Sequence, residues 1–236
     1  MMAASARPGR RLEPDPRVRK AIVAAATKVI RSEGVGALSV AQVLAHAGLG
    51  TRAFYRHFES KNQLVSAVFL DMARAETRRL RKRMATSSDP VDAVVAWIDG
   101  RLDLAFSEDI KSDLRQMSLE AQSQMFAAPE VIGAAYAEIL TPLVEELERG
   151  AQQGFFTDVD PAAHALSVQG VLWSSVERQW ANGDCDRRHV RGAVLRFCLR
   201  GLGVSSASIA QVLADNTTHV AAARHDRKQE RHGSGT

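Results

Sequence analysis

Two cysteines in 236 residues, Cys185 and Cys198, are too few for a disulfide framework, and neither stands in a metal-ligand spacing. Both are expected to be free thiols in ordinary packing. The seven histidines are scattered through the chain, no glycine-rich loop precedes a strand to cradle phosphate, and nothing pairs Ser, His and Asp as nucleophile and base. Neither an enzyme nor a metal or cofactor site is expected. No uninterrupted apolar run approaches the roughly 20 residues that would cross a bilayer, and the arginine-containing start lacks the apolar stretch of a signal peptide. The reading is a cytoplasmic protein. Strand patterns are lacking too, and helical spacing of apolar residues recurs from end to end, so the fold class is all-α.

The formal charge of +4 conceals an asymmetry. Residues 1–84 hold 17 Lys or Arg against 6 Asp or Glu, a net +11, whereas the remaining 14 bases and 21 acids give −7. A basic front joined to an acidic remainder suits a protein that brings one end to nucleic acid.

That front contains SVAQVLAHAGLGTRAFYRHFESK, Ser39 to Lys61. Ser39 with Gln42 forms an S-x-x-Q capping box, so a short helix opens at about Val40, with Val40, Val43, Leu44 and Ala47 on its apolar face. Gly48 can take the left-handed conformation that ends it, Leu49 plugs the corner, and Gly50 lets the chain start again. The next segment, Thr51 to His57, is about two turns. Ala53, Phe54 and Phe58 can face inward there, while Thr51, Arg52, Tyr55, Arg56 and His57 offer donors outward, as a helix must that meets phosphates and base edges. Ser60 and Gln63 make a second capping box. It sets Lys61 in the first turn of a new helix, where a cation is poorly placed unless an anion such as a DNA phosphate arrives.

From Ile22 to Leu64, and above all in the string AG-L-G-x-x-x-F-Y-R-H-F-x-S-K, the chain resembles the DNA-binding domain of TetR-type (TetR/AcrR-like) bacterial transcriptional regulators. Two positions depart from the family pattern. Gly50 stands where a Ser or Thr hydroxyl is usual, and Leu44 where Ala is common. The resemblance implies a three-helix DNA-binding domain with a helix-turn-helix, followed by a larger helical ligand-binding and dimerisation domain. It implies DNA contacts from Ser39, Thr51, Arg52, Tyr55, Arg56, His57 and Lys61.

The expected organisation is a disordered basic arm over 1–15, the DNA-binding domain over 16–60, the regulatory domain over 61–204 and a weakly structured tail over 205–236. Arg7, Arg10 and Arg11 could follow a minor groove or simply keep the arm soluble. Pro16 opens a first helix whose stripe is Val18, Ile22, Ala25, Val29 and Ile30, ending at Gly34. A fourth helix, 61–85, presents Leu64, Val68, Met72 and Ala75 inward, and its Arg78, Arg79, Arg81, Lys82 and Arg83 read as a solvated face. The resemblance makes it the link between domains. Further helices are expected over 90–106, 108–126, 129–153, 160–181 and 186–203. Asp160-Pro161 is a strong start, and Pro142 should kink the helix that contains it.

By analogy with the family, an effector site would draw on Trp97, Phe106, Met117, Met125, Phe126, Tyr136 and Trp173, with Arg101, Gln122, His164 and Gln169 as polar contacts. Val168, Val171, Leu172 and Val176, with Val194, Phe197 and Cys198, are more apolar than one core-facing stripe requires. The resemblance makes these two helices half of a four-helix homodimer interface. The expected partners are thus an operator in double-stranded DNA, a second copy of the chain and a small molecule. A repressor released from a palindrome by an apolar or amphipathic effector is the leading reading. The rivals are a ligand-independent architectural DNA-binding protein and a helical carrier or enzyme with a vestigial helix-turn-helix.

Overall fold

The computed structural model describes residues 15–106, 112–182 and 186–214. The arm with Arg7, Arg10 and Arg11, Cys185 and the tail beyond 214 lie outside them, as does the side chain of Phe126. The described residues form α-helices joined by short turns, with no strand among them: α1 Pro16–Ala37, α2 Val40–Ala47, α3 Thr51–His57, α4 Lys61–Met84, α5 Pro90–Phe106, α6 Ser112–Ala127, α7 Pro129–Gln152, α8 Pro161–Asn182 and α9 Arg187–Gly201. A last helical stretch, α10, covers 206–214.

Three of these helices open on the same dipeptide. At Asp15-Pro16, Asp89-Pro90 and Asp160-Pro161 the proline takes the first helical position, where its missing N–H costs nothing. The aspartate then accepts an orphan amide of the first turn, from Arg17 at 2.8 Å, Asp92 at 2.9 Å and Ala163 at 3.0 Å respectively.

The chain falls into two compact units, Met1–Met72 with Gln116–Ala135, and Ala73–Arg115 with Tyr136–Thr236. In the first, α1, α2 and α3 pack on one another around Ile22, Ala26, Val29, Ile30, Val43 and Phe54. Phe58 and Leu64 close this core, and the Arg19 guanidinium stands 5.3 Å from the centre of the Phe58 ring. The Ser66 hydroxyl donates to the Val131 carbonyl at 2.6 Å, tying the start of α4 to the start of α7.

The second unit buries one apolar core drawn from α4, α5, α7, α8 and α9, including Leu80, Trp97, Ile98, Leu102, Leu143, Leu172 and Leu195. The apolar surplus of α8 and α9 is largely spent here: Val168, Leu172, Val176, Val194 and Cys198 all lie in this chain's own core, with Val171 packed against it. Phe197 is 66% exposed and Leu166 59%. Inside the core, Arg191 donates to both carboxylate oxygens of Asp99, at 2.6 and 2.9 Å.

Helix α4 buries a face other than the expected one. Ala75 is exposed, and the inward positions of its second half are Ala73, Glu76, Thr77, Leu80 and Met84. The basic run at its end is not simply solvated either. Arg79 bonds Glu76, Arg81 pairs with Glu145 of α7 at 2.6 Å, and Arg83 pairs with Asp103 of α5 at 2.8 Å.

Pro142 lies within α7 and has no N–H to give the carbonyl of Glu138 one turn earlier. The Thr77 hydroxyl of α4 supplies that donor at 2.9 Å. The Trp97 indole N–H points to the neighbouring Ile139 carbonyl at 3.4 Å. Thr77→Val keeps the shape and removes the donor, so it should cost about 1–3 kcal/mol in urea unfolding, the penalty for a buried acceptor left unmade. A loss below about 0.5 kcal/mol, the level of a neutral surface change, would show that water takes the place of the hydroxyl.

Candidate functional site

The exposed face of α3 is built from the turn that precedes it. Ser39 caps α2 by accepting from the Gln42 amide at 3.2 Å, as the spacing predicts. The return half of that capping box is not made: the Gln42 side chain donates instead to the Glu33 carboxylate of α1, at 3.0 and 3.1 Å. Gly48 ends α2 at φ 65°, ψ 33°, and Leu49 donates back to the Leu44 carbonyl at 3.0 Å, closing a tight corner. Gly50 begins α3 without a side-chain cap, the consequence of the missing hydroxyl at that position.

Phe54 is wholly buried and anchors α3 from behind, its ring edge-on to Tyr55 and 5.8 Å from Phe58. Opposite it, Thr51, Arg52, Tyr55 and Arg56 are exposed, Tyr55 by 64%, and His57 is half-buried. At the second cap Ser60 accepts from the Gln63 amide at 3.1 Å, while the Gln63 side chain accepts from the Glu59 amide at 2.6 Å. Lys61 thus stands half-buried in the first turn of α4. Among the described residues no acid pairs with Arg52, Arg56 or Lys61. A packed back, a front of donors and an unneutralised cation beside a helix N-terminus are the chemistry of a surface that receives phosphate.

Residues 22–68 match the family model of bacterial regulatory proteins of the tetR family. The N-terminal domain is that of a tetR-family regulator. The family consists of transcription factors rather than enzymes. No curated protein matches the chain. Among solved structures it is similar to FadR of Bacillus subtilis in complex with stearoyl-CoA, at 18% identity over 77% of this chain and 98% of that one, with a TM-score of 0.60. It is also similar to RolR in complex with resorcinol, at 20% identity over 84% and 93%, TM-score 0.58. A regulator from Saccharomonospora viridis in complex with choline follows at 16% identity over 78% and 96%, TM-score 0.57. These likenesses show the all-α fold over 77–84% of the chain.

The effector-site residues expected of a tetR-type chain divide between the two units. Met117, wholly buried, and Met125, half-buried, belong to the first, as does Gln122. Trp97, Arg101, Phe106, Tyr136, His164, Gln169 and Trp173 belong to the second. Phe106 packs half-buried at the edge of its core. His164 works at the start of α8, its Nδ1 held 2.8 Å from the Asp160 carbonyl oxygen.

Tyr136 interacts with both Arg101 and Gln169. Gln169 bonds the Tyr136 hydroxyl, which also feels the charge of Arg101. Burial raises the Tyr136 phenol above its ordinary range, against the pull of Arg101 and that hydrogen bond. Glu76, which sequence reasoning passed over, and Arg79, which it read as solvated, complete the cluster. Glu76 accepts from Arg79 at 2.8 Å through each oxygen and from Arg101 at 3.3 Å. Burial pushes the Glu76 carboxyl up, but the Arg79 bond and the charges of Arg101 and Arg79 outweigh it and hold the group below its usual value. Arg101 is drawn down by burial, with Glu76 opposing. No signal in the sequence marked Glu76, whose inward register follows from the burial of Ala73 and Leu80 beside it.

Glu120 of α6 was also missed. The backbone of α1 breaks at Gly34, at φ 82° and ψ 169°, and frees the Val35 amide, which donates to the Glu120 carboxylate at 3.3 Å. Among the described residues no group of three or more His, Cys, Asp or Glu could hold a metal, and no helix is long and apolar enough to cross a membrane. Burial pushes the Cys198 thiol up to about 12, so it stays protonated and unreactive.

Proposed function

We propose that the chain is a cytoplasmic, homodimeric repressor that binds a palindromic operator through α3 and is released by a small amphipathic effector held in its larger domain. The observation that carries this reading is the face of α3, four exposed donors on a helix pinned from behind by Phe54. In this reading Thr51 and Arg52, in the first turn of α3, lie nearest the base edges. Ser39, Tyr55, His57 and Lys61 hold phosphates, and Arg56 stands between the two roles.

One α3 reads too few base pairs to select a site, so a two-fold dimer is part of the proposal. The face left for a second copy is what the core has not consumed: Leu166, Gly170 and Ser174 on α8, with Ala193 and Phe197 on α9, all exposed in the single chain. Small residues beside one large aromatic let helices approach closely.

Stearoyl-CoA, resorcinol and choline in the similar regulators support a small-molecule effector here without saying which. Release requires that the effector favour one dimer geometry, and a coupling of about 1–3 kcal/mol lowers operator affinity 5- to 150-fold. Helix α4, which contributes to both units, is placed to carry it.

Selection of genomic fragments by the full chain at about 150 mM salt tests the reading, because non-specific binding is weak there. One enriched palindrome supports it. Sequence-blind retention favours an architectural protein, and no retention favours a helical carrier. On the selected site, Arg52→Ala should cost about 1–3 kcal/mol against the preferred sequence and relax the preference at one position, whereas Lys61→Ala should weaken all sequences alike. The reverse pattern in competition binding would overturn the two roles.

A further inference from the structure

The buried cluster of the second unit holds more positive charge than it uses. Arg79, Arg101 and Glu76 together leave one cation in excess, and the geometry shows which. Arg79 takes both oxygens of Glu76 at 2.8 Å and also donates to the Gly100 carbonyl at 2.6 Å. Arg101 is left a longer 3.3 Å contact with an oxygen already shared. Its side chain is only 6% exposed, and its Nε–H is buried with no acceptor. A guanidinium is always protonated, so this N–H is a standing demand for an oxygen.

A second unmet atom lies in the same cluster. Gln169 gives one side of its amide to the Tyr136 hydroxyl, and the other side is buried with no partner. Whichever way the amide is turned, a hydroxyl group would satisfy the open side, since a hydroxyl both donates and accepts. Helical spacing adds the walls. Trp97 and Arg101 are four apart on α5, and Gln169 and Trp173 four apart on α8, so each polar residue shares a face with an indole. Glu177 of α8, which is exposed, acts on Tyr136 from the solvent side.

We infer that Arg101 and Gln169 anchor the effector, and that the effector is a small hydroxylated organic acid whose carboxylate or phenolate oxygen accepts from Arg101 Nε and whose hydroxyl meets the Gln169 amide. This rests on the regulatory reading above and narrows the effector from amphipathic to anionic. Flat apolar portions of such an acid are covered by the indoles, and a cation is repelled by the surplus charge.

The test uses the full chain without DNA and matched probes: salicylate, 4-hydroxybenzoate, 4-hydroxyphenylacetate, 3-hydroxybutyrate and 3-hydroxydecanoate, each beside its primary amide, with choline as the cationic control. Binding is read by thermal shift and calorimetry. At least one acid should bind tenfold or more tightly than its amide. Arg101→Met should weaken that acid roughly 10- to 100-fold and Arg101→Lys less, as expected for loss of a charged hydrogen bond. Gln169→Leu removes the amide without changing charge and should weaken the hydroxy acid more than its deoxy analogue. It keeps the test intact if Arg101→Met fails to fold by circular dichroism. Equal binding of acid and amide, undiminished binding by folded Arg101→Met, or no binding by any acid overturns the inference. Operator selection on the ligand-free chain separates the two readings. Specific DNA binding with no acid bound sinks only the acid site, and acid binding with no DNA retained sinks only the regulator.

Discussion

Asp99→Ala is expected to cost about 3–5 kcal/mol, because it breaks a buried, doubly hydrogen-bonded ion pair with Arg191. Asp99 takes two hydrogen bonds from Arg191, at 2.6 and 2.9 Å, and both side chains are at most 10% exposed. Arg187, whose nearest approach to Asp99 is 3.9 Å, is already bonded to Asp103 at 2.7 Å and is poorly placed to compensate. At about 2–4 °C per kcal/mol for a chain of this size, the melting temperature should fall by roughly 6–20 °C. The double change Asp99→Leu with Arg191→Met should restore most of the loss, since an apolar pair of similar volume escapes the cost of desolvating two charges. A single variant that melts within about 2 °C of the parent would mean that water reaches Arg191 and that the pair is not sealed. The pair joins α5 to α9, so its loss should be felt in the larger domain.

For the regulator proposed above, DNA affinity should fall by a factor of roughly 10³–10⁵ between 50 and 200 mM salt, if about 6–10 phosphates are neutralised in each complex. The expectation comes from where the charge lies. Residues 1–84 carry 17 bases against 6 acids, and at the α3 face Arg52, Arg56 and Lys61 have no acid partner among the described residues. By contrast Arg79, Arg81 and Arg83 are engaged with Glu76, Glu145 and Asp103 and contribute little to the slope. Fluorescence anisotropy of a labelled operator across that salt range measures it. Lys61→Ala should reduce the slope by about 1 for each Lys61 that meets a phosphate. A fall of less than about tenfold across the range would show that few phosphates are met and would remove α3 as an electrostatic surface.

What was legible in the chain was local. Ser39, Gly48, the Asp160-Pro161 start and the Phe54–Phe58 spacing specify caps, a corner and a buried back within a few residues, and the structure places each as read. What was not legible involved residues distant in the chain. Gln42 prefers a carboxylate nine residues back to its own cap, Glu76 is buried because Arg101 lies one helix away, and Glu120 finds the Val35 amide 85 residues earlier. The same limit explains the inward set of α4. Periodicity from Leu64 through Met72 extrapolates to Ala75, but the second half of the helix packs on other partners and turns Glu76 and Thr77 inward instead. Apolar excess on α8 and α9 likewise does not reveal how much the chain's own core absorbs, which is most of it.

Thr77 does for α7 what a backbone amide would have done had residue 142 not been proline. A helix that completes its own ladder can slide along a neighbour at little cost, because smooth apolar faces meet equally well at several offsets. Here one rung of α7 is made by α4, and Arg81, one turn beyond Thr77 on α4, adds an exposed tie to Glu145. A slip by one residue would break the Thr77 bond, so the two helices are keyed at this point. Displacement of α7 at this turn is therefore resisted by α4 through Thr77.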